Sequence, residues 1–336
     1  CAGRVVLACR EEAAQLLGAE SSEQVIFTPS CTEALNLAIL GTLHQGDEVI
    51  CSHGEHNAVM RPLYHLASTG QITLRVLTPD PMGILQPHTL QSAIGPRTAL
   101  VVLCHASNVT GVIQPISRLG AICQENGVPL LVDAAQTAGV LDVSLHALNA
   151  DMIAMPGHKG LLGPHGVGLL ALRRGVCPEP LVRGGTGSVS ESMEQPESLP
   201  DRYESGTLPL PNIAGLLLGI RFVRAHLAEI REYEDALNRR LREGLEHIPG
   251  IRCLGHPDAP QVGITSFVPR RMDGGALSDS LDQAGFALRG GLHCAPAMHT
   301  WLGTLRSGAL RASVGIYNTE EEVDALVALV ERFVQE

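Results

Sequence analysis

The sequence contains a single lysine, Lys159, whereas its other 23 basic residues are all arginine. A lysine amine can lose its proton and attack a carbonyl, but an arginine guanidinium stays charged at any ordinary pH. The neighbours of Lys159 in "MPGHKGLLGP" are glycine, proline and histidine rather than the charged residues of a solvated helix face. We therefore predict that Lys159 is a nucleophilic amine. The alternative is one exposed lysine left by chance in a lysine-poor chain.

Other polar residues that could react or bind a ligand follow the apolar runs of the chain. Asp133 ends the run "PLLVDA", where a buried carboxylate needs a cation or a hydrogen-bond donor as its partner. That partner could be a structural arginine, a helix N-terminus or the protonated ring nitrogen of a cofactor. After "QVIFT", Ser30 and Glu33 have the spacing of a capping box. A helix that begins there would also offer free N–H groups to an anion.

Two histidines, His53 and His56, follow the run "EVICS". No third residue has convincing spacing for a metal site, so we predict no metal. A histidine at the end of a strand can equally stack its ring on a flat cofactor. An anion-binding helix start, a stacking histidine, a buried aspartate and a reactive lysine are together what pyridoxal 5′-phosphate (PLP) requires.

The elements that must position these residues alternate between short apolar runs and longer helix-like segments, which is typical of an α/β fold. Seven runs are predicted to form a mainly parallel sheet flanked by helices, because their continuous apolar character fits strands covered on both faces. These runs span residues 24–28, 48–52, 72–77, 99–104, 129–134, 152–155 and 166–172. The intervening helices are predicted over residues 33–44, 57–69, 115–126 and 136–140.

The second half of the chain is predicted to form a smaller unit. Residues 183–211 are rich in glycine, serine and proline and should form an extended loop, which a long helix over 212–247 follows. Further strands are predicted over 263–268 and 309–316, with helices near 276–284 and 320–335. We therefore predict a large domain over residues 1–211, and a linking helix with a smaller α+β C-terminal domain over residues 212–336.

Composition narrows the class of protein. The net charge of −11 and the pI near 5.7 argue against a general surface for nucleic acids or anionic membranes. No apolar run is long enough to span a bilayer, and no signal peptide opens the chain. The nine cysteines form no C-x-x-C pair, which favours a reducing cytoplasm over a disulfide framework.

Several motifs occur in the order found in one known family. They are "EHNAVMRPL", "HASNVTG", "VDAAQTAG", "MPGHKGLLGPHGVG" and "LRASVGIYNTEEEVD". The chain resembles, over nearly its whole length, the class V aminotransferase superfamily of fold-type I PLP-dependent transferases. Within it, the chain is most similar to the cysteine desulfurases and selenocysteine lyases, and its short loop around Cys294 resembles the Suf-type group.

The resemblance implies how the cofactor is held. Lys159 would bind PLP covalently, with His158 beside it. Asp133 would pair with the pyridine nitrogen, and Gln136 would approach the phenolic oxygen of the ring. His56 would stack on the ring face and take part in catalysis.

The resemblance also implies a phosphate site and a homodimer. Cys31 and Thr32 would occupy the turn that cradles the phosphate, and Asn108 would lie near the substrate carboxylate. Thr207, in "YESGTLPLPN", resembles a residue that reaches the phosphate of the neighbouring subunit. The active sites would therefore be shared between two copies of the chain.

The C-terminal motifs imply the reaction. Arg311 would bind the carboxylate of L-cysteine as a bidentate fork, and Arg289 lies near it in the same substrate site. Cys294 would take the sulfur as a persulfide, leaving L-alanine, and would pass it to a sulfur-acceptor protein or thiol. Selenocysteine would react in the same way. Read without the resemblance, Cys294 could be a small buried hydrophobe.

Two departures from the family pattern concern the phosphate. Many relatives carry a hydroxyl residue in place of Pro156 and a threonine in place of Cys31, so backbone N–H groups, Thr32 and His158 should carry more of the anchoring. The opening segment of the family, with its D-N-A-A-T-T-like strand, is not found in the sequence.

Two alternatives remain open at this point. One is another class V activity, either an aminotransferase or a C–S lyase that releases sulfide without a persulfide. The other is a non-catalytic dimeric scaffold.

Overall fold

The computed structural model of the chain describes residues 2–270 and 272–335. The seven predicted apolar runs all form strands: β1 (Val25–Thr28), β2 (Glu48–Ser52), β3 (Thr73–Leu77), β4 (Thr98–Cys104), β5 (Leu130–Asp133), β6 (Met152–Pro156) and β7 (Gly168–Leu172). They make one sheet in the order β1-β7-β6-β5-β4-β2-β3. Only the two pairs that include β7 are antiparallel, so the prediction of a mainly parallel seven-stranded sheet is confirmed.

Helices cover both faces of this sheet, as continuous apolar strands require. They are α1 (Ala2–Leu17), α2 (Cys31–Thr42), α3 (Asn57–Ser68), α4 (Pro87–Ala93), α5 (Ile116–Glu125) and α6 (Leu210–Glu246). Helices α1, α4, α5 and the first part of α6 share one apolar core with the sheet. Helices α2 and α3 share the core on the opposite face.

The predicted helix over residues 136–140 is wrong, because this segment forms consecutive turns. Gly139 has a φ of +92°, and a Cβ built there would lie 2.1 Å from the carbonyl oxygen of Gly160. The chain therefore turns sharply beneath the Lys159 loop instead of continuing as a helix. Five residues are also too few to offset the cost of nucleating a helix.

A second, antiparallel sheet forms the smaller α+β unit. Its strands are β8 (Ile251–Cys253), β9 (Ile264–Pro269), β10 (Arg289–Gly291) and β11 (Ala309–Ser313), in the order β10-β11-β9-β8. The remaining helices are α7 (Gly274–Gln283), α8 (Pro296–Trp301) and α9 (Glu320–Gln335). One face of this sheet packs on α7, α9 and the end of α6. Met298 of α8 instead joins Val109 of the large unit in a small separate core.

Helix α6 belongs to both units. Near its start, Ile213 and Leu216 lie in the core of the large sheet, whereas Leu241 and Leu245 lie in the core of the small one. Non-helical dihedrals at His226 mark a kink between the two parts. The domain boundary between residues 211 and 212 stays a prediction. None of the described helices is long and apolar enough to cross a membrane.

A buried ion pair attaches α1 to the loop that precedes α6. The guanidinium of Arg10 donates to both carboxylate oxygens of Glu204 at 2.7 Å, and both side chains are almost completely buried. The same carboxylate accepts from the backbone N–H of Phe27 in β1, and Arg10 lies 4.5 Å from the ring centre of Phe27. Glu204 therefore holds the loop, the first helix and an edge strand of the sheet together.

Arg10→Met is expected to lower the free energy of unfolding by about 3–5 kcal/mol, because it leaves the Glu204 charge buried and unpaired. Urea denaturation measures the loss. The control is Arg174→Gln, which breaks an exposed pair with Glu20 and should cost less than about 1 kcal/mol. Equal losses in the two variants would show that the buried pair has no special role.

Candidate active site

The carboxyl ends of the parallel strands meet at one edge of the large sheet, where a cavity of about 640 Å³ opens. Strand β5 lies at the centre of the sheet, between β4 and β6. Eight of the residues predicted from the sequence line this cavity: Cys31, Thr32, His56, Asn108, Asp133, Gln136, His158 and Lys159. The structure thus brings these side chains together, while the role of each stays a prediction.

The start of α2 forms the anion-binding end of the cavity. Ser30 caps the helix, because its hydroxyl accepts from the backbone N–H of Glu33. Within the described part of the chain, nothing accepts from the N–H groups of Cys31 and Thr32, so both can bind an anion. The close approach of β7 requires Gly168, since a Cβ there would lie 2.6 Å from the Ser30 backbone.

The carboxylate of Asp133 stands at the end of the central strand and is 5% exposed. Its Oδ1 accepts from the backbone N–H of Ala135 at 2.9 Å and from the Cys31 thiol at 3.8 Å. Burial raises the pKa of Cys31 well above its ordinary value, and the charge of Asp133 raises it further. The Cys31 thiol therefore stays neutral and contacts Asp133. The second oxygen of Asp133 is left to a ligand in the cavity.

The imidazole of His56 has a fixed orientation because it caps α3. Its Nδ1 accepts from the backbone N–H of Ala58 at 3.0 Å, which leaves the ring hydrogen on Nε2. Burial lowers the pKa of His56, so the ring is neutral near pH 7. A neutral, fixed ring on the cavity wall is suited to stacking on a flat ligand.

The amine of Lys159 enters the cavity from the loop after β6. Burial lowers its pKa, the charge of Asp133 opposes this shift, and the charges of Arg311 and Arg289 add smaller lowering contributions. The lysine surface is accessible from the open cavity, but the surrounding protein atoms still desolvate the amine. Burial likewise lowers the pKa of His158, whose ring centre lies 4.4 Å from that of His165.

The small unit contributes Arg289, Cys294 and Arg311 beside this cavity. The guanidinium of Arg289 lies 3.4 Å from the Sγ of Cys294. Arg311 lines an adjoining cavity together with Gln136 and Lys159, and it donates to the backbone carbonyl of Asn108 at 3.0 Å. The two arginines face each other closely enough that the charge of Arg289 lowers the pKa of Arg311, after burial itself. This pair would hold an anionic substrate.

Thr207 does not line the cavity either. It is exposed on the loop before α6 and lines none of the cavities described here. Its predicted role toward a neighbouring subunit stays a prediction.

Sequence reasoning missed one buried group behind the cavity wall, the carboxyl group of Glu55. Glu55 is completely buried, and its Oε1 accepts from the Ser52 hydroxyl at 2.6 Å and from the Cys104 backbone at 3.1 Å. Its Oε2 has no partner in the described chain. Burial raises the pKa of Glu55 to about 8, with a further contribution from Asp133. The signal in the sequence was a carboxylate directly before the histidine His56.

These groups fit PLP. The free N–H groups at the start of α2 suit its phosphate, the open oxygen of Asp133 suits a protonated pyridine nitrogen, and the desolvated amine of Lys159 suits its aldehyde. The neutral ring of His56 suits the face of the pyridine ring.

Comparison with known proteins agrees with this fit. A sequence model of the family described as aminotransferase class-V matches residues 2–326. The chain is 35% identical over 333 residues to a probable cysteine desulfurase of Methanothermobacter thermautotrophicus, covering 97% of this chain and 82% of that protein. It is 34% identical over 329 residues to a cysteine desulfurase of Salmonella newport, covering 95% and 80% respectively.

Solved structures give the same result. The apo structure of a cysteine desulfurase from Thermococcus onnurineus NA1 superposes with a TM-score of 0.92 at 32% identity, covering 99% of this chain and 84% of that one. The cysteine desulfurase CsdA from Escherichia coli gives a TM-score of 0.91 at 28% identity, with the same coverage. The fold-type I architecture expected from the sequence is therefore confirmed.

Glu55→Gln is expected to change how stability depends on pH. The folded state holds the proton of Glu55 up to a pKa of about 8, whereas the unfolded chain releases it near pH 4.3. As the pH rises between these values, the parent should therefore lose unfolding free energy relative to Glu55→Gln. The limiting slope is about 1.4 kcal/mol per pH unit.

Urea unfolding of both proteins at about pH 5 and about pH 8 measures this difference. Glu11→Gln, on the exposed side of α1, is the control and should follow the parent at both values. Parallel behaviour of Glu55→Gln and the parent would mean that Glu55 is ionised in the folded protein.

Proposed function

The chain belongs to the aminotransferase class-V family, and from that premise we propose that it is a PLP-dependent cysteine desulfurase that converts L-cysteine to L-alanine. The observation that carries the proposal is the contact between the Arg289 guanidinium and the Cys294 thiol beside the cavity of Asp133 and Lys159. A lysine and an aspartate suffice for many PLP reactions. A cysteine paired with a cation adds an acceptor for sulfur.

PLP supplies, when bound, an electron sink for the substrate carbons. Lys159 would attach the cofactor, Asp133 would keep its ring nitrogen protonated, and the start of α2 would hold its phosphate. Gln136, which lines the same cavity, would face the phenolic oxygen. His56 would cover one face of the ring and so exclude water from that side.

Arg311 would bind the substrate carboxylate through its guanidinium. Its Nη1 is engaged by the Asn108 carbonyl, while its Nε is buried without a partner in the described chain. Asn108 itself keeps an unpaired side-chain oxygen. These unpaired groups support a polar ligand between the two residues, because buried donors and acceptors are normally satisfied.

The sulfur transfer needs no oxidant or reductant beyond the substrate, the bound cofactor and this chain. The amine of Lys159 would remove the Cα proton of L-cysteine. The Cys294 thiolate would then attack the substrate sulfur, so that an S–S bond forms as the C–S bond breaks. Protonation at Cβ and Cα yields L-alanine, and Cys294 is left as the persulfide. Arg289 would compensate the negative charge on the attacking and the terminal sulfur. Selenocysteine would react by the same steps.

We further infer that the chain acts as a homodimer in the cytoplasm and transfers its sulfur to an acceptor protein or thiol. The exposed position of Thr207, which lines none of the cavities described above, supports the dimer, because an exposed side chain is available for contact with a second copy. The eight described cysteines are all free thiols, which suits a reducing compartment. Assignment to the Suf-type group stays part of this proposal.

Cys294→Ala is expected to lower the rate of alanine formation from L-cysteine at least about 100-fold, because the sulfur loses its acceptor. Alanine is measured by chromatography, with substrate binding followed separately by the change in cofactor absorbance. Cys177→Ala, at an exposed cysteine outside the cavity, is the control and should match the parent. Alanine production by Cys294→Ala at the parent rate would contradict sulfur transfer to Cys294.

Lys159→Arg is expected to fold like the parent but to develop no new visible absorbance band when PLP is added, because a guanidinium does not attack an aldehyde. Circular dichroism checks the fold, and an absorbance titration checks attachment of the cofactor. A parent protein that also gives no band would indicate the non-catalytic scaffold.

A further inference from the structure

The proposed nucleophile lies in a strained turn. The backbone N–H of Ala295 donates to the carbonyl of Leu292 at 2.9 Å, which closes a two-residue turn. Both central residues are left-handed, with φ of +51° at His293 and +59° at Cys294. Such a turn strongly prefers asparagine and glycine, and each left-handed side chain costs about 1–2 kcal/mol. Interactions elsewhere must therefore hold His293 and Cys294 in place.

Two contacts from the large unit hold the backbone of the turn. The N–H of Asn57, at the start of α3, donates to the carbonyl of Cys294 at 2.7 Å. The side chain of Asn108 donates to the carbonyl of His293 at 2.6 Å. These bonds fix both central carbonyls but leave the side chains of the turn unconstrained.

A buried chain of three side chains holds the turn from the other side. His293 Nδ1 lies 3.3 Å from His299 Nε2, and His299 Nδ1 lies 2.8 Å from the hydroxyl of Thr304. At the far end, His293 Nε2 lies 3.0 Å from the carbonyl of Arg289. His293, His299 and Thr304 are 2%, 0% and 1% exposed. We name these three residues the His–His–Thr chain.

The direction of these hydrogen bonds follows from the acceptor at one end. The Arg289 carbonyl can only accept, so Nε2 of His293 carries the hydrogen and its Nδ1 accepts from His299. His299 Nδ1 then accepts from the Thr304 hydroxyl. Burial lowers the pKa of both rings, that of His293 to about 4, where the charges of Arg311 and Arg289 also contribute. Both rings are therefore neutral near pH 7, as this arrangement requires.

The His–His–Thr chain is connected to both members of the proposed sulfur-accepting pair, Cys294 and Arg289. His293 precedes Cys294 directly, and the residue whose carbonyl it binds, Arg289, contacts the Cys294 sulfur with its guanidinium at 3.4 Å. A closed loop of contacts thus joins the nucleophile, its cation and the buried interior of the small unit. A histidine that only filled space would not need a second histidine and a hydroxyl aligned behind it.

We propose that the His–His–Thr chain positions Cys294 and Arg289 for sulfur transfer, with His299 and Thr304 acting as positioning residues that touch neither substrate nor cofactor. This inference rests on the proposed function for the reaction it serves. The geometry it claims can be tested without that reaction.

The test uses Thr304→Val, which keeps the shape of the side chain but removes its hydroxyl, and Thr304→Ser, which retains the hydroxyl. Thr300→Val is the control, because Thr300 is exposed on α8, the helix that carries His299, and its hydroxyl donates to the Pro296 carbonyl. One readout is the rate of Cys294 alkylation by iodoacetamide without substrate, followed by mass spectrometry of its peptide. The other readout is kcat and KM for alanine formation from L-cysteine.

Thr304→Val is expected to lower kcat and to change the alkylation rate about 5- to 10-fold, with KM within about twofold, because the nucleophile is misplaced while the substrate site is intact. Thr304→Ser should restore both values, and Thr300→Val should match the parent. His299→Phe should reproduce the loss more strongly, and His299→Gln should restore part of it, because a glutamine amide can still donate to His293.

Parent values of kcat and alkylation rate in Thr304→Val would overturn the proposal, as would equal losses in the valine and serine variants or a change confined to KM. A failure of His299→Phe to fold leaves the threonine pair as the deciding test. If the parent makes no alanine while the alkylation contrast persists, the proposed function fails and the positioning of Cys294 stands. If alanine forms but both readouts are unchanged in the variants, only the positioning claim fails.

Discussion

The arrangement of this site depends on one buried negative charge, the carboxylate of Asp133 at the end of the central strand. A low-dielectric strand end tolerates a single carboxylate when donors and a cation surround it. Burial raises the pKa of Cys31, Cys104 and Glu55, and the charge of Asp133 raises each of them further, so these neighbours keep their protons. Two carboxylates within one wall thus have different states: Asp133 attracts a cation, and Glu55 is a neutral structural acid. Burial also lowers the pKa of the Lys159 amine, and the charge of Asp133 opposes that shift.

The small unit brings Arg311 and the turn that carries Cys294 to this site because both units meet at Asn108. Its backbone carbonyl accepts from Arg311, and its side chain donates to the carbonyl of His293. One residue in the loop after β4 therefore fixes the positions of Arg311 and of the turn that presents Cys294. The strain of that turn is compatible with folding only because contacts from both units converge on it. A site divided between two units can also change its geometry when the units move relative to each other.

The large sheet and the residues at its carboxyl edge could be predicted from the sequence, because continuous apolar runs and the polar residue after each run are local signals. The turn over residues 136–140 could not, since its shape is set by the close approach of Gly139 to Gly160, a contact between distant segments. The short elements β8, β10 and α8 were also missed, because three to six residues carry little periodicity. The proposed role of His299 could not be predicted from the sequence either. Only the folded chain places it behind His293.

The proposed phosphate end of the cavity shows how a changed side chain can alter a site without removing it. Pro156 ends β6 and offers no hydroxyl, and the Cys31 thiol is directed to Asp133 rather than outward. The remaining donors are the Thr32 hydroxyl, the ring of His158 and the backbone N–H groups at the start of α2. Backbone donors are preorganised, because the helix that carries them is already capped by Ser30 and held against β7 by Gly168. Anchoring by main chain rather than side chains therefore costs little additional ordering, and it frees Cys31 to support the carboxylate on which the site depends.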